Sequence, residues 1–397
     1  MSLPFDTQSA LEELSSNFKV TPKTMPPSFY KDEAMMPTEI DELFINGWVC
    51  VGRGDEIPDA GDYYTLDIFS EPLIISRNKD GAISVLSNVC RHRGSQLLSG
   101  KGNSKRFTCP YHRWSYDLNG ALLAAPLVDK SEGFDRNECR LPSFRLHEWW
   151  GWLFVNLSGT AEEFDTQIIG LDQHVENYHA EQMRSIAPEI EHWPLNWKCL
   201  AENFMEGYHL TPVHRDTLHP MTPTRLCHKI PGGSGYTGYK AHYSPGYEGR
   251  AEFHPDMTKE ERALSMMVWV YPGFVAAISP NSAVYMSITP QGPTELQTRW
   301  DVIAREATFE NGEAYARLEF ARSFNAEDRD RLLDVQKGLS SRFATRGYLA
   351  PPDYEGTVWD FYHYIAAKLL PGLEPPATIN TSDVDQSKSD FHRGPLT

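Results

Sequence analysis

Short apolar runs separated by polar turn-forming residues in the first half of the chain predict short β-strands. Residues 62–68 and 73–77 are rich in β-branched and aromatic side chains and are bounded by turn-forming residues. Asp80-Gly81 and Asn119-Gly120 are typical of tight hairpin turns. A continuous apolar run at residues 149–157 predicts one buried strand that closes the unit. This part of the chain is therefore expected to be a small all-β domain.

The pattern becomes mixed after residue 158. Strand-like runs separated by Pro, Gly and Asn predict an antiparallel meander at residues 266–270, 274–279, 284–289 and 295–304. Helical periodicity is found at residues 162–181, 197–210, 325–343 and 357–370. Asn325 is expected to cap the third of these helices. We predict an α+β chain, in which helices flank the antiparallel sheet of a larger second domain.

These changes of pattern divide the chain of 397 residues into four segments. The predicted segments are a lead-in that packs on the larger domain (1–45), the β-domain (46–158), the larger domain (159–375) and a polar tail (376–397).

The formal net charge of −17 argues against nucleic acid or an anionic membrane as a partner. The chain has neither a secretory signal pattern nor an apolar run of membrane-spanning length. We expect a cytoplasmic protein.

Two cysteine–histidine pairs are the strongest chemical signal in the chain. Cys90 and His92 form one pair, Cys109 and His112 form the other, and sixteen residues separate them. Two thiolates and two imidazoles in this spacing are typical of a Rieske [2Fe–2S] cluster, in which two histidines replace cysteines on one iron. A structural zinc site is an alternative, but zinc favours other spacings. A simple Rieske electron carrier is another, although it would not need the second domain.

A second constellation follows on the helix predicted at residues 197–210. Glu206 and His209 are three residues apart and share a helical face, and His214 follows after Pro212. Two imidazoles and one carboxylate form the facial triad of non-haem Fe(II) oxygenases, which leaves coordination positions open for O₂ and substrate. The sequence therefore predicts a mononuclear iron site here.

The third iron ligand has four candidates. Glu327, Asp328, Asp330 and Asp334 all lie in or near the first turns of the helix predicted at residues 325–343. Acidic residues at that place also complement a helix dipole, so each of them has a purely structural explanation. The residue pattern alone leaves the choice open.

The chain resembles a known family, the α-subunits of the Rieske non-haem iron oxygenases. The resemblance rests on the two cysteine–histidine loops, on Asn196-Trp-Lys198, on the run from Ala201 to His209, and on His214. It implies a Rieske domain followed by a helix-grip catalytic domain. It also implies that His209, His214 and Asp328 hold the iron, because Asp328 lies eight residues before Gln336-Lys-Gly-Leu339.

The resemblance further implies a homotrimer in which the cluster of one subunit faces the iron of the next. Glu206 would then bridge His112 of one subunit and His209 of its neighbour. Many family members carry Asp at this position, and Glu is similar to the branch that acts on carnitine and betaines. The implied electron donor is a separate NAD(P)H-dependent reductase or a ferredoxin, and O₂ and a small molecule are the substrates.

We predict mono-oxygenation of an N-methylated amine or betaine, with N-demethylation. The alternative is hydroxylation or O-demethylation of an aromatic carboxylate. Seven aromatic residues are candidates for a cation–π site or for the core: Trp193, Phe204, Tyr208, Trp269, Tyr271, Phe274 and Tyr285. Three basic residues are candidates for a carboxylate partner: Arg225, Lys240 and Arg299.

Overall fold

The computed structural model of the chain describes residues 3–16, 22–247 and 253–370. The polar tail predicted at residues 376–397 lies outside this range. Within the described part, no helix combines the length and the apolar character that crossing a bilayer requires.

Ten short strands lie between residues 49 and 156, which we call the first part of the chain. They are β1 (Val49–Arg53), β2 (Asp62–Ile68), β3 (Glu71–Arg77), β4 (Ile83–Ser87), β5 (Lys101–Asn103), β6 (Phe107–Thr108), β7 (Ser115–Tyr116), β8 (Leu122–Ala124), β9 (Arg145–Trp149) and β10 (Trp152–Asn156). They build three antiparallel sheets with the orders β4-β3-β2-β5, β1-β10-β9 and β6-β7-β8. The strand predicted at residues 62–68 has the predicted bounds.

The single strand predicted at residues 149–157 is wrong. The structure has a hairpin there, in which β9 pairs with β10 and the chain reverses at Trp150 and Gly151. Both turn residues have positive φ, 49° at Trp150 and 86° at Gly151. The apolar run conceals this turn because Trp150 supplies a large side chain at a left-handed backbone position, which non-glycine residues seldom occupy.

Helices and longer strands form the rest. The helices are α1 (Phe5–Ser16), α2 (Met35–Glu39), α3 (Phe164–Gln167), α4 (Asp172–Val175), α5 (Trp197–Phe204), α6 (Leu210–Val213), α7 (Ala307–Glu310), α8 (Glu313–Leu339) and α9 (Pro352–Leu369), with a π-helical turn at Ile40–Ile45. The strands are β11 (Arg184–Ser185), β12 (Glu189–Trp193), β13 (Cys227–Lys229), β14 (Tyr236–His242), β15 (Leu264–Val270), β16 (Phe274–Ser279), β17 (Ser282–Gly292) and β18 (Glu295–Ala304).

The eight strands β11–β18 form one antiparallel sheet, in the order β11-β18-β17-β16-β15-β14-β13, with β12 also paired to β18. Three helices pack on it: α5 against β17 and β18, α8 against β18, and α9 against β13 and β14. The Phe361 ring of α9 stacks on Trp269 of β15 with 4.3 Å between ring centroids. The predicted α+β architecture, with the meander of four long strands, is confirmed.

Three helix predictions need correction. Residues 162–181 contain the short helices α3 and α4 and then 3₁₀ turns at Glu176–Tyr178 and Ala180–Gln182, in place of one continuous helix. The helix predicted at residues 197–210 is divided into α5 and α6. The third helix begins at Glu313 rather than after Asn325, which is buried in the middle of α8 and caps nothing. Intrinsic propensity cannot place such ends when tertiary packing continues or interrupts a helix.

A buried ion pair joins the two parts of the chain. Arg299 of β18 donates to both carboxylate oxygens of Glu56, at 2.7 and 2.6 Å. The Arg299 and Glu56 side chains are only 6% and 2% exposed, and Arg299 also donates to the Tyr285 hydroxyl at 3.2 Å. Because the charges are shielded from water, each depends on its partner.

We expect Glu56→Gln to destabilise the protein by about 3–5 kcal/mol, because it leaves the Arg299 guanidinium buried without a counter-charge. Urea unfolding followed by circular dichroism measures the change. The control is Glu163→Gln, which breaks the Arg145–Glu163 pair at a carboxylate that is 78% exposed and should cost about 1 kcal/mol or less. Equal losses in the two variants would contradict the buried pair's role.

Candidate active site and cofactor centres

The two cysteine–histidine pairs lie on loops with the same backbone conformation. The Gly94 N–H donates to the Cys90 carbonyl at 3.0 Å, and the Arg113 N–H donates likewise to the Cys109 carbonyl at 3.1 Å. The φ angles are 73° at Gly94 and 65° at Arg113. Each cysteine N–H also donates to the carbonyl five residues further on, at 2.9 and 2.7 Å. The loops are therefore near-copies, and each presents one thiol and one imidazole.

The four predicted cluster residues converge. The Cys90 and Cys109 side chains lie inside, at 3% and 1% exposure, whereas His92 is exposed. The rings of His92 and His112 are 4.7 Å apart at their centroids. The Trp114 ring stacks on His92 at 4.9 Å. Buried sulfur and outward-facing imidazole are the arrangement that a Rieske cluster requires for electron exchange at the surface.

Hydrogen bonds surround the cysteine sulfurs. The Tyr116 hydroxyl lies 3.3 Å from Cys90 Sγ and accepts the Arg91 N–H at 3.1 Å. Burial raises the pKa of the Cys109 thiol, but a backbone hydrogen bond at Tyr111 is among the contacts that outweigh it and lower that pKa overall. A lowered pKa favours the thiolate that binds metal, and hydrogen bonds to the sulfurs tune a cluster's potential.

His209 and His214 lie at the two ends of α6, which explains how residues five apart face one centre. The chain leaves α5 before them because Gly207 packs against Cys227, where an added Cβ would lie 2.6 Å from the sulfur. Pro212 lies in the first turn of α6, where its missing N–H costs no helical hydrogen bond. The break between α5 and α6 therefore creates the site.

The structure brings His209, His214 and Asp328 together. Asp328 Oδ1 lies 3.5 Å from His209 Nε2 and 3.1 Å from His214 Nε2. One ligand atom from each of the three residues lies within 4.8 Å of the others. His214 Nε2 and Asp328 Oδ1 are buried and have no hydrogen-bond partner among the described residues. Buried polar atoms without a hydrogen-bond partner are suited to binding a metal ion. A ligand set of two imidazoles and one carboxylate is typical of non-haem iron.

The outer nitrogen of each histidine is held by a glutamate. Glu206 Oε1 lies 2.5 Å from His209 Nδ1. Glu327 Oε2 lies 2.7 Å from His214 Nδ1 and accepts the Thr217 hydroxyl at 2.7 Å. Carboxylates at this position fix the tautomer and turn Nε2 towards the metal. Nothing in the sequence pattern singled out Glu327 for this task, because its partner lies 113 residues away.

Glu206 also affects the pKa of the histidine that it contacts. Burial lowers the pKa of His209, but the adjacent Glu206 carboxylate outweighs burial and raises that pKa to about 9. The same carboxylate accepts the backbone N–H groups of Tyr208 and His209. The region therefore has a negative potential that favours a bound cation.

The four acidic candidates have different surroundings. Asp328 reaches both imidazoles, whereas Glu327 contacts only the outer nitrogen of His214. Asp330 is exposed, and Asp334 pairs with Arg331 at 3.2 Å. Because α8 begins at Glu313, these residues lie several turns from its N-terminus. Helix-dipole effects fall off within the first turn and do not account for Asp328.

A cavity of about 310 Å³ opens from this centre, between α8 and the large sheet. Apolar side chains line much of it, including Phe204, Leu210, Leu218, Met221, Met267 and Phe324. His209, His214 and Asp328 contribute to its wall. A small organic molecule bound in this cavity would therefore lie directly beside the three candidate ligands.

Only one of the seven aromatic candidates, Phe204, lines this cavity. Tyr208 is 56% exposed at the surface, and the other five are in the hydrophobic core. Other aromatic residues take their place: Tyr239, Tyr243, Tyr247, Phe253, Phe320 and Phe324. Alternation along a strand defines two faces, but it does not say which one borders a cavity.

The three basic candidates, Arg225 among them, do not line the cavity either. Arg299 is engaged by Glu56, and Lys240 pairs with Glu260 at 2.6 Å. The cavity is instead lined by Arg262 and Arg317. Sequence reasoning missed Arg317 because α8 was expected to begin only at Asn325. It missed Arg262 because that residue lies in a short 3₁₀ turn, Glu261–Ala263, which no sequence pattern indicated.

Comparison with known proteins agrees with this arrangement. A model of the Rieske [2Fe–2S] domain matches residues 47–145. A model of the ring-hydroxylating alpha subunit catalytic domain matches residues 173–370. The predicted cofactors, a Rieske [2Fe–2S] cluster and a mononuclear iron, are thereby confirmed. A stand-alone electron carrier or a zinc-stabilised protein does not fit the second match.

Relatives and solved structures extend the likeness to nearly the whole chain. The carnitine monooxygenase oxygenase subunit of Escherichia coli K12 is 29% identical over 339 residues, which are 83% of this chain and 88% of that protein. A crystal structure of the quaternary ammonium Rieske monooxygenase CntA has a TM-score of 0.78 at 24% identity, covering 93% of this chain and 99% of that one. Naphthalene 1,2-dioxygenase from Rhodococcus sp. gives 0.79 at 19% identity, covering 93% and 98%.

The motifs, the fold and the two matched domains describe one kind of enzyme, an oxidoreductase that incorporates oxygen. This chain belongs to the Rieske non-haem iron oxygenases, as an α-subunit similar to their carnitine and betaine branch.

Proposed function

We propose that the chain is the terminal oxygenase of a mono-oxygenase that acts on an N-methylated amine or betaine. The observation that carries this proposal is the convergence of His209, His214 and Asp328 on a cavity for a small molecule. Relatives support the substrate class: besides the carnitine enzyme, they include a glycine betaine monooxygenase from Chromohalobacter salexigens, 35% identical over 199 residues.

The reaction consumes one O₂, two electrons and two protons. One oxygen atom enters a C–H bond of an N-methyl group, and the other leaves as water. The resulting N–CH₂OH group loses formaldehyde: its C–N bond breaks, the electron pair stays on nitrogen, and the hydroxyl proton is released. The net result is N-demethylation.

We assign the cluster to Cys90, His92, Cys109 and His112, and the iron to His209, His214 and Asp328. When bound, the iron supplies a centre with open positions at which O₂ and substrate meet. The chain's own residues hold that centre: Glu206 and Glu327 orient the imidazoles, and the apolar cavity wall limits the access of water.

We further propose that Glu206 carries the coupling between subunits of a homotrimer, by contacting His112 of a neighbouring copy. His92 is exposed and His112 is partly exposed, while Tyr208 beside Glu206 is 56% exposed. The cluster histidines are therefore accessible at the surface, and Glu206, whose own side chain is 13% exposed, lies next to an exposed residue. In support, the solved structure of a quaternary ammonium Rieske monooxygenase with the same fold gave insights into inter-subunit electron transfer in that protein.

Electrons would come from a separate NAD(P)H-dependent reductase or a ferredoxin. Supporting this, the glycine-rich stretch at residues 233–238 leads into strand β14 and not into a helix, so it lacks the context of a dinucleotide site.

We also propose the domain limits 46–158 and 159–375. Strands β1–β10 and β11–β18 fall on opposite sides of that division.

Asp328→Ala should abolish binding of the mononuclear iron and leave the cluster in place, because it removes the one carboxylate near both imidazoles. Iron per chain should fall by about one third, from three to two, and the Rieske signal in electron paramagnetic resonance should persist. The control is Asp334→Ala on the same helix, which removes only the pair with Arg331. Retention of all the iron in Asp328→Ala would refute the assignment.

Glu206→Gln and Glu327→Gln should separate electron transfer from metal binding. Both remove a carboxylate from the outer nitrogen of a metal-site histidine. Glu327→Gln should lower iron affinity about 10–100-fold and keep turnover per bound iron. Glu206→Gln should slow oxidation of the pre-reduced cluster by O₂ and substrate, measured by stopped flow at full iron loading. An unchanged rate in that variant would contradict the bridge.

Formaldehyde release tests the reaction itself. The reduced holoenzyme, incubated with O₂ and a panel of methylammonium compounds, should form one formaldehyde per O₂ consumed with its true substrate. Release of trimethylamine without formaldehyde would place the oxidation on the chain carbon instead, and would overturn N-demethylation. A panel without any oxidised compound would overturn the proposed substrate class.

A further inference from the structure

The cavity has a second polar end that neither metal centre uses. Arg262 Nε, Arg317 Nε and Asn281 Nδ2 are buried without hydrogen-bond partners among the described residues. All three side chains line the cavity that also contains His209 and His214. Such orphaned groups are rare in folded proteins, and each one calls for an explanation.

All three orphaned atoms are hydrogen-bond donors, and two of them belong to guanidinium groups. Arginine has no acceptor and keeps its charge, so only an acceptor can satisfy it. Guanidinium matches the geometry of a carboxylate better than any other side chain does. The chemistry of this end of the cavity therefore fits an anionic group of a ligand.

Among the described residues, one exposed glutamate pairs with one of the two guanidinium groups, and both Nε atoms stay without a partner. Arg317 Nη2 lies 3.5 Å from Glu313, whose side chain is 55% exposed, and Arg317 Nη1 donates to the Ser282 hydroxyl at 3.0 Å. The Arg262 guanidinium lies over the Phe253 ring at 4.0 Å. Among the described cavity residues, Asp328 is the one carboxylate, and it belongs to the metal site.

Helix α8 runs along the cavity from the arginine end to the metal end. Arg317, Phe320, Phe324 and Asp328 all line it, at spacings of three and four residues that place them on one helical face. At a rise of 1.5 Å per residue, the Cα atoms of Arg317 and Asp328 are about 16 Å apart. The positive end and the metal end are therefore held at a fixed separation.

The sheet repeats this polarity. One row of cavity-lining side chains, in register across β15, β16 and β17, is apolar: Met267, Ala277 and Val284. One pleat further on, the corresponding row carries hydroxyls: Ser265, Ser279 and Ser282. The Tyr243 hydroxyl joins this second row, 2.9 Å from Ser265. Hydroxyl groups and the Arg317 guanidinium thus lie together at one end.

We propose that Arg317, with Arg262 and Asn281, binds the carboxylate of an elongated substrate whose methylammonium end lies at the metal centre. This inference rests on the proposed function and deepens it, because it selects zwitterions with a carboxylate remote from the nitrogen. A compound whose carboxylate is close to the nitrogen cannot reach both ends of the cavity.

Calorimetric titration of the anaerobic holoenzyme tests binding without turnover. The first probe pair is γ-butyrobetaine and its methyl ester, which differ in charge at one end. The second pair is benzoate and benzamide. The wild type should bind the carboxylate member of at least one pair about tenfold more tightly or better, since charge-assisted hydrogen bonds contribute that much. In Arg317→Gln the ratio should fall towards one.

Arg322→Gln is the matched control, because it removes the same charge from α8 outside the cavity, where Arg322 pairs with Glu189 and Glu319. Its ratio should equal that of the wild type. Arg262→Gln is the second cavity variant and should act in the same direction as Arg317→Gln if the latter does not fold.

The proposal is overturned if the wild type discriminates in neither pair, or if the cavity variants keep the full discrimination. Failure of the proposed function would look different: benzoate would bind in an Arg317-dependent manner, while no methylammonium compound released formaldehyde. In that case the carboxylate site stands and the substrate class changes.

Discussion

A buried carboxylate oxygen beside a buried imidazole nitrogen is the constraint on which the active site depends. Asp328 Oδ1 and His214 Nε2 lie 3.1 Å apart, and neither has a hydrogen-bond partner in the described part of the chain. Polar atoms in this state are costly unless a cation satisfies them. The rest of the site maintains that arrangement: Glu206 and Glu327 hold the outer nitrogens, so that both rings turn inward. Folding thus prepares a set of ligands whose chemistry is complete only with metal.

Helix α8 sets the scale of this active site. It is continuous from Glu313 to Leu339, and one of its faces presents Arg317 and Asp328 to the same cavity. A helix is stiff over such a distance, whereas two loops would let these side chains move independently. The distance between the metal end and the cationic end of the cavity is consequently fixed by the length of this helix.

The cluster site is accessible at the surface, in contrast to the buried iron site. Its cysteines are buried, but His92 is exposed, on two loops with nearly the same hydrogen bonds. An electron carrier must be accessible at its edge, while an oxygenating centre must restrict water. The buried pair of Arg299 and Glu56 attaches the strands of the first part to the large sheet, so that both designs coexist in one chain.

Local chemistry in the sequence was enough to predict the cluster motifs, the two histidines, the α+β class and the long strands. Each of these depends on residue type and short spacing, which a linear chain displays directly. The boundaries of α5, α6 and α8 were not predictable in this way, because Gly207 meets Cys227 only after folding, and packing carries α8 through Asn325. Only the tertiary structure decided which of four acids faces the histidines, that Glu327 holds His214, and that Arg262 and Arg317 border the cavity. These relationships join residues from different elements, and their physical basis is proximity across the core, which no local pattern encodes.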